Sequence, residues 1–84
     1  MTVRFYRQRT SGPEEIGALV LRGGRIVAEP PDSVALKNVL DEPVWLPEGD
    51  GWWFIYPDTQ PEEFLQALPM QYHGSYFWAR QVED

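Results

Sequence analysis

His73 is the only imidazole in the chain and Ser75 follows it by two residues, so a serine, histidine and acid relay would have to run through this pair. No nucleophile elbow surrounds Ser75 or Ser33, and no neighbouring glycine pair offers an oxyanion hole. His73 therefore reads as a surface residue of the turn MQYHG. With no cysteine, the chain has no thiolate metal site, iron–sulfur cluster, disulfide or cysteine nucleophile. Carboxylates remain as possible metal ligands. Glu48, Asp50, Asp58, Glu62 and Glu63 gather around the segment WWFIYP, but EGDG lacks the alternating oxygen ligands and closing glutamate of a calcium loop. Gly23 and Gly24 separate two apolar runs rather than a strand and a helix, so they are no phosphate loop. Paired carboxylates for glycoside cleavage would need a cleft that a chain of 84 residues rarely forms. The expectation is a non-enzymatic protein with no cofactor and no metal.

Two other groups of residues point to binding. Aromatic residues make up 14% of the chain, more than one small core usually holds, and Trp45, Trp52, Trp53, Tyr56, Tyr76 and Trp78 form a candidate interaction surface. Rings on a sheet can stack unpaired bases, but such grooves are lined with cations. Here Asp50 and Asp58 flank the tryptophan segment, which argues against nucleic acid. The net charge of −6 argues the same way. That charge is uneven: residues 1–25 carry five arginines against two glutamates, and residues 26–84 carry two cations against eleven acids. Arg4, Arg7, Arg22 and Arg25 form a candidate basic patch that could meet an acidic partner or a phosphate. The plainer reading pairs each of them with a nearby acid on a solvated surface.

The elements that must position these residues follow from the hydrophobic pattern. TVRFYRQ alternates, with Val3 and Phe5 on one face and Arg4, Tyr6 and Gln8 on the other, as a half-buried strand does. TSGPEE is a turn, and IGALVLR-GG-RIVAE is a tight hairpin because both glycines tolerate positive φ. Pro30 and Pro31 stop the third strand, and Asp32 or Ser33 caps a helix through VALKNVL that ends before Pro43. Val44 to Leu46 reads as a short edge strand and WWFIY as a further one. Thr59 and Glu62 suggest a capping box, with Pro61 in the first turn of a second helix that reaches about Leu68 and is closed by Pro69. SYFWA resumes period two as a final strand.

This order predicts a single small globular domain over 1–84, of α+β class: a mostly antiparallel five- to six-stranded curved sheet with two short helices on one face. IGALVLR, WWFIY and SYFWA are apolar on both faces, so the second face needs a cover. Curling of the sheet, a second copy or a partner protein would supply it. PEEFLQALP with GSYFWA, and IVAEPPDSVALKNVLDEPV, resemble segments of short uncharacterised bacterial proteins, over about half the chain. The resemblance implies a bacterial cytoplasmic protein and carries no function with it. The amino terminus MTVRFYRQRTSGPEE is charged early and lacks the apolar run of a signal peptide, and no apolar stretch is long enough for a membrane span. The leading expectation is a protein-interaction domain that binds a partner or forms a homodimer through its aromatic sheet face, without membrane or nucleic acid. The alternative is a module that binds a small planar or apolar ligand between sheet and helices, oriented by Tyr72, His73 and Tyr76. A third reading takes the negative charge as a mimic of nucleic acid that blocks a basic protein.

Overall fold

The computed structural model describes residues 1–30, 33–40, 44–48, 51–55 and 60–82, with the backbone alone described at Val39, 44–48 and 51–55. The expected alternation forms strand β1 (Thr2–Arg9), and a turn at Thr10 and Ser11 leads into β2 (Gly12–Arg22). Pro13, Glu14 and Glu15 belong to β2 and not to the turn assigned from TSGPEE. They pair with Gln8, Arg7 and Tyr6, extending the hairpin beyond the packed core. Gly23 and Gly24, at φ of 55° and 77°, make the two-residue turn into β3 (Arg25–Glu29), a conformation that a side chain would penalise at both positions. Helix α1 (Val34–Val39) follows, then β4 (Val44–Glu48), β5 (Gly51–Ile55), helix α2 (Pro61–Gln71) and β6 (Phe77–Val82).

Backbone pairing orders the strands β4-β5-β3-β2-β1-β6, each antiparallel to its neighbour. The α+β class is compatible with this arrangement, but the expected five- to six-stranded curved sheet is corrected. The sheet that packs against the helices is open and four-stranded, β3-β2-β1-β6. Among the described residues β5 meets it through two pairs, Ile26 with Phe54 and Val27 with Trp53, so the β4–β5 hairpin is an arm hung on β3. The physical reason is the brevity of β3, five residues bounded by the glycine turn and by Pro30, which cannot donate to a ladder. Nor are both helices short, since α2 has eleven residues.

Proline placement explains that length. Pro61 at the start of α2 gives up an N–H that had no intrahelical partner, and Gln60 stands at the N-cap without a side-chain cap bond. Thr59, the expected cap, lies outside the described residues. Pro69 does not close the helix as expected, because in the last turn it removes one bond while the Tyr72 N–H still reaches the Leu68 carbonyl at 2.9 Å. In α1 the cap is Ser33, whose Oγ accepts from the Leu36 N–H at 3.1 Å and donates to the Ile16 carbonyl at 2.8 Å.

That second bond reaches a β-bulge. Phe5 pairs with Gly17 and Tyr6 with Glu15, which leaves Ile16 as the extra residue, turned into the core. Both helices lie on the same side of the sheet: Leu36 of α1, its C-cap Leu40, and Phe64, Leu65 and Leu68 of α2 join Val3, Phe5, Leu19 and Ile26 in one apolar cluster. At its β6 end Phe5 stacks on Phe77 with centroids 5.9 Å apart, and Tyr72 meets both rings edge-on at 5.8 and 5.5 Å. Such pairs add about 0.5–1.5 kcal/mol each beyond their buried area.

Candidate interaction surface

Paired residues of an antiparallel ladder share a face, so the register specifies what the sheet presents opposite the helices. Thr2, Arg4 and Tyr6 of β1 lie beside Val20, Ala18 and Glu15 of β2 and beside Val82, Arg80 and Trp78 of β6. Arg25, Val27 and Glu29 of β3 continue the row opposite Arg22, Val20 and Ala18. Ala18 and Val20 are 2% and 8% exposed, yet neither belongs to the apolar cluster that joins the helices to the sheet. Ion pairs flank them instead. Arg4 Nη1 donates to Glu15 Oε1 at 2.8 Å, and Arg22 is paired with Glu29. Aliphatic stems can cover small neighbours while the charged heads stay in water.

Charge is tuned along this ladder. The Glu15 hydrogen bond and charge raise the Arg4 guanidinium further above its already high value. At the exposed hairpin end, the Arg7 hydrogen bond lowers the Glu14 carboxyl, with Arg9 adding to the effect at 3.3 Å. The plainer expectation for the arginines therefore describes Arg4, Arg7 and Arg22, each paired with an acid. Three of the four candidates, Arg4, Arg22 and Arg25, share the second face. Arg7 lies beyond the bulge with Glu14. Sequence reasoning missed Arg80, hidden in the acidic part of the chain, although the alternation of FWARQV places it on the face of Trp78, opposite Arg4.

The aromatic candidates whose backbone is described lie towards two ends of the strand order. Trp45 lies on β4 and Trp52 and Trp53 on β5, at one edge of the strand order, while Trp78 lies on β6 at the other. Four strand spacings separate β5 from β6, about 19 Å. Tyr56 lies outside the described residues. Trp78 stacks on Tyr6 with centroids 5.8 Å apart and ring planes at 20°, and Tyr76, 80% exposed, precedes β6 with its carbonyl accepting from the Gln8 N–H at 2.8 Å.

His73 and Ser75 are exposed in the turn after α2, where His73 forms a bridge with Trp78. Tyr72 packs in the core cluster, so Tyr72, His73 and Tyr76 do not converge on one interior space. Glu62 and Glu63 are exposed in the first turn of α2, while Asp50, Asp58 and the side chain of Glu48 lie outside the description. Among the described residues no three histidine, aspartate or glutamate side chains come together to hold a metal, and no helix is long and apolar enough to cross a membrane. Comparison with protein-family models, curated proteins and solved structures finds no match for this chain.

Proposed function

We propose that this chain is a non-enzymatic protein-interaction domain whose contact surface is the β1–β6 side of the second sheet face. The observation that supports the reading is the Tyr6–Trp78 stack beside Arg4 and Arg80, with exposed Tyr76 at its rim, on the side of the sheet away from both helices. Tryptophan, tyrosine and arginine are the residues that carry most interface energy. A partner protein or a second copy would occupy the surface, and the cysteine-free composition favours a cytoplasmic setting. The test is a photoreactive phenylalanine analogue in place of Tyr76, with Gln66 on α2 as the control position. Cross-linking from 76 and not from 66 is expected, and equal yields from both positions refute the assignment. Light scattering over a wide concentration range then separates a second copy, at twice 9.8 kDa, from a different protein.

One observation favours the small-ligand alternative. A hollow of about 520 Å³ lies between Leu21 and Gly24 of the β2–β3 hairpin and the first turns of α2, at Gln60, Pro61, Glu63 and Gln66. Its volume suits a small ligand. A thermal-shift screen of planar metabolites tests it, since a ligand that binds the folded state raises the midpoint.

A further inference from the structure

We infer that the second face recognises an acidic peptide segment, an extended chain whose alternate carboxylates seat between Arg4 and Arg22; this rests on the interaction reading above. A hollow of about 430 Å³ opens on this face, lined by Thr2, Arg4, Val20, Leu21, Arg22 and Glu29. Its lining is mostly polar, with Arg4, Arg22 and Glu29 around Thr2 and Val20. Each guanidinium carries five N–H donors in a planar fork. Among the described residues Arg4 engages Glu15 through Nη1 and Arg22 engages Glu29 through Nη2, so each fork keeps donors for a second carboxylate. Register adds Arg80 opposite Arg4 and Arg25 opposite Arg22. Among the described residues this face carries four arginines and two glutamates, Glu15 and Glu29, in a chain of net charge −6.

Charge complementarity selects an anion, and the pattern selects its kind. A nucleic acid presents a phosphate about every 1.7 Å of duplex and would meet Glu15 and Glu29 among the arginines, against the field of the whole acidic chain. An anionic membrane would need large apolar side chains to insert, but the apolar residues between these arginines, Ala18 and Val20, are small and buried. An extended peptide places alternate side chains on one side about 7 Å apart. Arg4 stands opposite Ala18, four ladder steps and about 14 Å along the strand from Arg22, so the first and third of three such carboxylates can each meet one fork, while the intervening side chains point away.

The test is a nitrogen-15 NMR titration with a ten-residue peptide of alternating glutamate and threonine, alongside the same peptide with glutamine, a single-stranded RNA, and phosphatidylserine vesicles. The glutamate peptide is expected to shift the amides of Thr2, Arg4, Val20, Arg22 and Glu29 and to weaken as salt is raised. Replacing Arg4→Gln or Arg22→Gln should weaken it about tenfold, the scale of one lost charge-assisted hydrogen bond. Both side chains are exposed, so the folded spectrum should persist, and Arg7→Gln at the hairpin end should change nothing. Equal binding of the glutamine peptide at the same residues overturns carboxylate recognition while leaving the surface assignment standing. Stronger binding of RNA or vesicles overturns the inference, as does no shift from either peptide; cross-linking from position 76 then judges the surface itself.

Discussion

Gly17→Ala should be among the most damaging single-methyl changes in the chain. Gly17 follows the bulged Ile16 with φ at +154°, and a Cβ built there would stand 3.1 Å from Leu36 Cδ2 and 3.3 Å from both Leu36 Cβ and the Glu29 carbonyl oxygen. The backbone strain is about 1–3 kcal/mol. Overpacking against α1 adds about 1–3 kcal/mol, because the Glu29 carbonyl and Leu36 Cβ are not free ends that can swing aside. Together these come to about 2–6 kcal/mol, against roughly 4–13 kcal/mol for a domain of this size. At about 4–8 °C per kcal/mol, the midpoint should fall by about 8–48 °C. Thermal and urea unfolding followed by circular dichroism would measure it. Gly12→Ala separates the two causes, since Gly12 has φ of +121° with nothing within 4 Å of a built Cβ, and should show the backbone part alone. Adding Leu36→Ala to Gly17→Ala should cost less than the sum of the singles, by about 0.5–3 kcal/mol. A Gly17→Ala cost no larger than that of Gly12→Ala, or strict additivity with Leu36→Ala, would refute the close approach of α1 to this glycine.

Ser33→Ala removes both the α1 cap and the bond to the Ile16 carbonyl, and a loss of about 1–2 kcal/mol in urea unfolding is expected, with Ser33→Thr restoring most of it. Pro69→Ala should stabilise α2 by about 1 kcal/mol or more by restoring a helical N–H, read as a higher thermal midpoint; a lower midpoint would mean that the proline ring packs productively. Because the Glu14 carboxyl is lowered, its contribution to stability is present above the ordinary glutamate value and is lost as pH falls through the lowered one. Carbon-detected titration should place the Glu14 midpoint below that of free glutamate, and Arg7→Gln should raise it.

Patterns of period two and their punctuation were legible without coordinates. The alternation around Phe5, the glycine pair between β2 and β3, and a cap at Asp32 or Ser33 each follow from local chemistry, and each has its counterpart in an element, the cap at Ser33. Ile16 was not legible, because a bulge is decided by which cross-strand partner a residue faces. Without it the parity of Glu14 and Glu15 cannot be carried into the core face. Pro69 was misread as a terminator because a proline rule says nothing of how close the helix already is to its own end. Arg4, Glu15, Arg22 and Glu29 come from three strands, and their pairing exists once the register does. Separation of Trp78 from Trp52 and Trp53 is likewise a property of strand order, which composition does not contain.

Strand β1 sits between a partner made early and one made late. Val3 and Leu19 are 16 positions apart, whereas Phe5 and Ala79 are 74 apart. Closing the longer loop costs about 1.4 kcal/mol more in chain entropy. The β1–β2–β3 meander is therefore expected to assemble first and β6 to dock last, with mutations in β6 changing the unfolding rate more than the folding rate. On a ribosome the interval is enforced, since β6 is synthesised after every other described strand. Until it arrives, β1 exposes a full row of unpaired backbone groups on an edge that also carries Val3 and Phe5, and the charged side chains of Arg4 and Arg7 stand guard against pairing with another chain.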